Sequence, residues 1–153
     1  SISVRGNRFS HDLIAKSGEF VVNLVDEAHC KALDFCGVRS GRDVDKWQEC
    51  HLTPMPALNM EYAPAIAECP AYLACKVVQQ LELGSHTMFV GKIVGVQVRD
   101  DLFAADGSLH LEKAGLVTYT HGTYQKAADV LGFFGYSVAR PEVLKRRMDA
   151  LTK

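Results

Sequence analysis

The stretch Cys36-Gly-Val-Arg-Ser-Gly-Arg-Asp-Val-Asp-Lys-Trp47 combines a small flexible turn with a helix start. Ser40 and Asp43 have the three-residue spacing of a capping box, so residues 41–50 are predicted to form a short helix. The first backbone N–H groups of such a helix point outward and carry a partial positive charge, which attracts an anion. The segment is therefore a candidate phosphate site.

Two cations follow this predicted helix start. Arg42 and Lys46 are four residues apart, so they would lie on one face of the helix and add charge-assisted hydrogen bonds to a bound anion. The alternative is an exposed helix whose cations pair with Asp43, Asp45 and Glu49, since charged runs usually face solvent. Spacing alone leaves both interpretations open.

Strand patterns dominate the rest of the chain. Residues 72–83 and 86–98 alternate apolar and polar side chains, and Gly84-Ser85 between them is a hairpin signal. β-Branched residues favour a strand at 19–25, and a shorter strand is expected at 117–120. Strands longer than the helices, with hairpin connections, predict a mainly β fold: an antiparallel barrel with short peripheral helices.

Helices are predicted between these strands. Capping and stop signals favour helices at 10–16, at 27–36 after an Asp26 cap, and at 123–130. A C-terminal helix is expected within 139–153, because Pro141 suits a first helical turn. Four prolines predict an irregular crossing segment at 51–70.

Composition limits the classes of function. A chain of 153 residues with 48% hydrophobic content suits one domain, 1–153, and the net charge of −1 gives no sign of a nucleic-acid partner. No apolar run is long enough for a membrane span, and no metal-ligand spacing occurs. Five cysteines, an odd number, do not form a disulfide framework, so a reducing cytoplasm is the expected compartment.

Besides the opening stretch, five further motifs stand out along the chain. They are Asn7-Arg-Phe-Ser-His-Asp-Leu-Ile14, Ser17-Gly-Glu-Phe-Val-Val-Asn-Leu24, Glu68-Cys-Pro70, Leu83-Gly-Ser-His-Thr-Met-Phe-Val-Gly91 and Tyr119-Thr-His-Gly-Thr-Tyr124. Together these motifs resemble the flavin reductase-like, FMN-binding split-barrel family, and its flavoredoxin-like branch in particular. Its SGRDxDKF pattern matches the opening stretch except that Trp47 replaces the usual Phe. The resemblance implies a Greek-key split β-barrel, with the N-terminal strands of the family missing ahead of Ser1.

The resemblance also implies which residues hold the cofactor. Arg8, Ser10 and Lys46 would hold the FMN phosphate and ribityl chain, with Ser40 and Arg42 in support. That these segments converge is implied by the family, since spacing does not show it.

Three further residues are candidates for flavin contact by the same resemblance. His86 lies in the G-x-H-x-M-F match, and Tyr119 and His121 lie on a strand that passes near the cofactor in the family. The alternative, which the residues taken alone favour, is that His86 is a core or turn histidine and that Tyr119 and His121 are packing residues.

The resemblance implies an oxidoreductase that passes reducing equivalents from NAD(P)H to FMN, as a homodimer with flavin near the subunit boundary. No catalytic acid or base is assigned, because the flavin ring accepts the hydride. NAD(P)H would stack over the flavin, since no Rossmann fingerprint occurs. A flavoredoxin-type electron carrier that exchanges electrons with a redox protein, and an FMN-free interaction module, remain as alternatives.

Overall fold

The computed structural model describes residues 1–127 and 129–151. Antiparallel strands form its framework, as the alternating sequence pattern predicts. In chain order the strands are β1 (Ile2–Val4), β2 (Glu19–Leu24), β3 (Pro54–Met55), β4 (Ala65–Ile66), β5 (Ala71–Glu82), β6 (Thr87–Val98), β7 (Val117–Thr120) and β8 (Thr123–Lys126).

Short helices lie between the strands. The α-helices are α1 (Phe9–Ser17), α2 (Cys30–Val38), α3 (Lys46–Glu49) and α4 (Pro141–Leu151). Single 3₁₀ turns occur at Glu27–His29, Asp100–Leu102, Leu111–Ala114 and Tyr136–Val138. None of the helices within residues 1–127 and 129–151 is long and apolar enough to cross a membrane.

The main sheet has four antiparallel strands in the order β1-β6-β5-β2, and its centre is the long β5–β6 hairpin. Two register shifts, at Ala74/Cys75 and Val77/Gln79, bend this hairpin. Two smaller antiparallel pairs, β3–β4 and β7–β8, lie apart from the main sheet.

The two faces of the main sheet carry separate cores. On one face, Ile14 of α1 packs with Phe20, Cys75 and Phe89. On the other face, Tyr72 and Ala74 pack under the proline-rich crossing segment together with Ala57 and Ala65. The sheet is therefore covered by α1 on one side and by the segment around β3 and β4 on the other.

The pattern in β6 predicts the buried face incorrectly at its first residues. The alternation in residues 86–98 predicts that His86 and Met88 belong to the apolar face, whereas the residues that are buried are Thr87 and Phe89. Phe89 is buried because it packs against α1. Which face of β6 is buried is therefore decided by the element that packs on it and not by the hydrophobicity of alternate residues.

The predicted helix at 123–130 is wrong, because residues 123–126 form β8. His121 and Gly122 have φ values of 45° and 91°, and positive φ at both central residues is characteristic of a type I′ hairpin turn. This turn joins β7 directly to β8, and Ala128 lies outside the described residues. The predicted C-terminal helix begins at Pro141 and is described as far as Leu151.

Glu19, the first residue of β2, is a buried carboxylate that holds the crossing segment. Its side chain accepts backbone hydrogen bonds from Glu61, Tyr62 and Ala63, the shortest of 2.8 Å from Tyr62. Burial alone would raise the pKa of Glu19, but these N–H donors and Lys76 lower it below its ordinary value. The ionised carboxylate thus stabilises the folded chain.

Replacing Glu19 with Gln should lower the free energy of unfolding and make it depend less on pH. All three N–H groups donate to Oε2, so Gln can keep these hydrogen bonds but loses their charge-assisted strength, and a loss of about 1–2 kcal/mol is expected at neutral pH in urea unfolding. Because the folded pKa of Glu19 is lowered, its contribution is complete above the ordinary value of about 4.3 and is lost as the pH falls through the folded value. Wild type should therefore lose more stability than Glu19→Gln on acidification to about pH 3.

The exposed Glu49 provides a matched control for this measurement. Glu49→Gln should unfold like wild type at both pH values. Equal stability of Glu19→Gln and Glu49→Gln would show that the buried carboxylate does not hold the crossing segment.

Candidate functional site

A cleft of about 410 Å³ lies between the start of α1 and the segment that leads from α2 into α3. Arg8 and Ser10 line it from α1, while Ser40 and Lys46 line it from the other segment, more than thirty residues later in the chain. Four of the eight residues predicted for the site thus surround one cavity. Their role as ligand contacts stays a prediction.

A second cleft, of about 570 Å³, adjoins the first. It shares Ser10 and Lys46 with the first cleft and is also lined by Arg42 and Trp47. Arg42 therefore lines the adjoining cleft and not the 410 Å³ cavity.

The start of α1 offers free backbone donors to this cleft. Arg8 is its N-cap residue, with extended backbone angles (φ −80°, ψ 140°), and its side chain makes no capping hydrogen bond. The first N–H groups of a helix carry partial positive charge, which side chains, water or an anion satisfy. An uncapped start flanked by the exposed side chains of Arg8 and Ser10 is suited to an anion.

The predicted helix at 41–50 begins later than expected. Ser40 does not cap a helix: its hydroxyl accepts a hydrogen bond from the Arg42 N–H (3.2 Å) in a turn. Asp45 is the cap instead, since its carboxylate accepts from the Trp47 and Gln48 N–H groups. The helix is only Lys46–Glu49, because the better cap lies five residues further on.

This difference changes how the two cations of the segment are placed. Arg42 lies in the turn and Lys46 at the helix start, so they do not share a helix face as predicted. Both still border the cleft region, because the turn at Ser40 folds the segment back toward α1.

Lys46 makes one side-chain hydrogen bond within the described part of the chain and keeps donors for a ligand. Its Nζ donates to the Cys36 carbonyl oxygen at 2.6 Å. An ammonium group has three N–H donors, so two remain to face the cleft. This contact fixes a half-buried cation at the junction of α2 and α3.

Arg42 is mainly occupied with protein contacts. Its guanidinium donates to the Asp12 carboxylate (2.5 Å) and to the Asn7 carbonyl oxygen (3.3 Å), and it lies 5.0 Å from the Phe9 ring centre. These contacts join the turn to the start of α1. Arg42 thus braces the start of α1, and its support of a bound phosphate stays a prediction.

The other three predicted residues lie outside the two clefts. His86 is in the β5–β6 turn, where the Ser85 hydroxyl contacts its Nδ1 at 2.9 Å. Tyr119 is 65% exposed and packs against the Tyr124 ring, and His121 occupies the β7–β8 turn. The structure does not bring them to Arg8 and Lys46.

Sequence reasoning missed Asp12 and Phe9 as parts of this region. Asp12 fixes Arg42, and Phe9 packs beneath it. Both stand in the motif that includes Arg8 and Ser10, which was the available signal. Within the described parts of the chain, no group of His, Cys, Asp and Glu is placed to hold a metal ion.

Comparisons with known proteins agree on one family. Residues 1–128 match the family model of the flavin reductase like domain. The fold is similar to flavoredoxin of Desulfovibrio vulgaris, with a TM-score of 0.81 and 24% identity over 89% of this chain and 73% of that one. It is also similar to flavoredoxin from Methanosarcina acetivorans, with a TM-score of 0.75 and 28% identity over 86% of this chain and 70% of that one.

Curated relatives are longer than this chain. An uncharacterized protein of Archaeoglobus fulgidus is 36% identical over 95 residues, which are 62% of this chain and 53% of the relative. The chain spans about half the length of the curated relatives it matches. The antiparallel sheet and the solved structures together confirm the predicted split-barrel fold class.

Proposed function

The chain belongs to the flavin reductase-like domain family, and we propose on that basis that it binds FMN and passes reducing equivalents from NAD(P)H to the flavin. One observation carries the proposal: Arg8 and Ser10 meet Ser40 and Lys46 at one cleft from distant parts of the chain. The free cysteines suit a reducing compartment, so we place this activity in the cytoplasm.

The chemistry of the cleft fits a phosphate group. Arg8 and Lys46 supply positive charge, the hydroxyls of Ser10 and Ser40 supply neutral donors, and the uncapped start of α1 supplies backbone N–H groups. Asp12, a carboxylate in the first turn of α1, is paired with Arg42 and so repels an incoming anion less. The ribityl chain would extend along the same cleft.

The bound flavin would supply the redox chemistry, because its ring accepts hydride and donates electrons. The residues of this chain would bind and orient it. No side chain is assigned as a general acid or base. His86, Tyr119 and His121 are proposed to contact the flavin only if a second subunit brings them to it, since they lie away from the cleft within one chain.

A flavoredoxin-type carrier is the second candidate. It would hold FMN permanently and exchange electrons with a redox protein, and the likeness to a flavoredoxin at 28% identity favours it. An FMN-free interaction module is the third candidate. FMN binding would exclude the interaction module. Reduction of the bound flavin by NAD(P)H would then distinguish the reductase from the carrier.

We expect FMN to bind more tightly than riboflavin because of Lys46 and Arg8. A hydrogen bond to a charged group is worth about 1.5–3 kcal/mol, so Lys46→Ala should weaken FMN binding by about 10- to 150-fold. Arg8→Ala should fall at the lower end, because Arg8 is more exposed. Fluorescence-quenching titrations at fixed salt measure both, and riboflavin affinity should barely change.

The exposed Lys113, outside both clefts, is the matched control. Lys113→Ala should leave the preference for FMN unchanged. Equal losses for FMN and riboflavin in Lys46→Ala would mean that Lys46 acts through folding and not through the phosphate.

NADH or NADPH should bleach the flavin absorption bands of the FMN-loaded protein under anaerobic conditions, at catalytic rates. Stopped-flow absorbance measures this directly. Reduction by dithionite or a redox protein alone would replace the reductase proposal with the carrier.

We further propose that the protein is a homodimer. Large apolar side chains are exposed along the long hairpin, including Val78, Leu83, Ile93 and Val96, and a twofold partner would cover such a surface. Light scattering should give twice the chain mass at micromolar concentration. A monomer that binds FMN would contradict the proposal.

A further inference from the structure

The 410 Å³ cleft carries a third cation besides Arg8 and Lys46. Arg39, the C-cap residue of α2, also lines it, and among the described residues of this lining there is no Asp or Glu. Within the described parts of the chain, the Arg39 guanidinium has no hydrogen-bond or ion-pair partner. Two guanidinium groups and an ammonium group match two linked phosphate groups better than one.

The adjoining cleft of about 570 Å³ has a different chemistry. Trp47, Leu13 and Val44 give it apolar walls, and Asp43 and Asp45 line it as well. The two acids disfavour a phosphate there, but a carboxylate accepts hydrogen bonds from hydroxyl groups. An aromatic wall offers a stacking face to a planar base. This lining therefore suits an uncharged nucleoside.

Trp47 is the aromatic residue of this cleft whose ring is available to a ligand. It is half-buried, and within the described residues its ring stacks on no other aromatic ring and on no cation. Phe9, by contrast, is covered by the Arg42 guanidinium at 5.0 Å. Trp47 follows Lys46 directly, and Lys46 lines both clefts. A ligand that extends from one cleft into the other therefore passes this lysine.

We propose that the two clefts together bind an adenosine diphosphate group. The diphosphate lies between Arg8, Arg39 and Lys46, and the adenosine extends into the adjoining cleft. There its base stacks on Trp47, and its ribose hydroxyls donate to Asp43. This inference rests on the proposed function, because FAD and NAD(P)H are redox ligands that carry this group. FMN has one phosphate and no adenosine, so it does not use Trp47.

The first test is the binding of ADP to the ligand-free protein. Trp47 is the single tryptophan of the sequence, so tryptophan fluorescence reports on the adjoining cleft alone. ADP should change this fluorescence, and inorganic pyrophosphate should displace ADP without a comparable change of its own. Fluorescence that does not respond to ADP, or ADP that pyrophosphate does not displace, would overturn the proposal.

Substitution of Arg39 tests the diphosphate part of the site. Arg39→Ala should weaken ADP binding by about tenfold, at the low end for a hydrogen bond to a charged group because Arg39 is exposed. Arg39→Lys keeps the charge but not the planar fork, so it should recover part of the affinity. Arg5→Ala is the matched control, since Arg5 is an exposed arginine that lines neither cleft. Equal losses in Arg39→Ala and Arg5→Ala would contradict the proposal.

Titrations of the ligand-free protein with FAD and with NADH distinguish the two sources of the ADP group. Trp47→Ala should weaken dinucleotide binding by about 5- to 150-fold, the size of base stacking on an aromatic ring, and should leave FMN affinity unchanged. A loss for FAD assigns the site to the flavin dinucleotide, and a loss for NADH alone assigns it to the nicotinamide dinucleotide. No loss for either, or an equal loss for FMN, would rule the proposal out.

Two further comparisons keep the result free of folding effects. Trp47→Phe keeps an aromatic face and should retain most of the affinity that Trp47→Ala loses. If Trp47→Ala does not fold, Arg39→Ala replaces it, and its loss should be larger for the dinucleotide than for FMN. If ADP binds but no flavin does, the proposed function fails and this inference holds. If FMN binds but ADP does not, this inference alone fails.

Discussion

The close approach of Phe20 to β6 at Gly91 is the constraint on which the cleft depends. A Cβ atom at Gly91 would lie 2.6 Å from the Phe20 ring, so only glycine allows this contact. Phe20 packs with Ile14, and Ile14 fixes α1 against the sheet. Gly18, with φ of 69°, ends α1 and turns the chain directly into β2. The position of the helix start, and with it Arg8 and Ser10, follows from this packing.

The ion pair between Arg42 and Asp12 affects which charged groups near the cleft remain available to a ligand. The contact between Arg42 and Asp12 lies near the surface, where such pairs contribute about 0–1 kcal/mol to stability. Its larger effect is electrostatic, because it neutralises the carboxylate closest to the start of α1. Arg8, Arg39 and Lys46 are cations that line this cleft, which also presents free helix N–H groups. An anion is the ligand that this arrangement favours.

The sequence could predict the fold class and the members of the cleft, but not all of their geometry. Local signals were sufficient for α1, ended by Gly18, and for the β5–β6 hairpin. They failed where two local choices compete: Asp45 caps α3 in place of Ser40, and the turn at His121 starts a strand where a helix was expected. The contact between His11 and Thr87 spans 76 positions, and no local pattern reports such a pair.

The β7–β8 hairpin and the cleft share α2 as a common support. The Tyr124 hydroxyl donates to Asp34 on α2 (3.1 Å), and Lys126 pairs with Glu27 just ahead of that helix. The same helix ends at Val38 and leads into Ser40, and its Cys36 carbonyl holds Lys46. Tyr119 and His121 are thus held at a fixed distance from the cleft although they do not touch it. Both the hairpin and the cleft contact α2, so a surface that joins these two regions would be built on this helix.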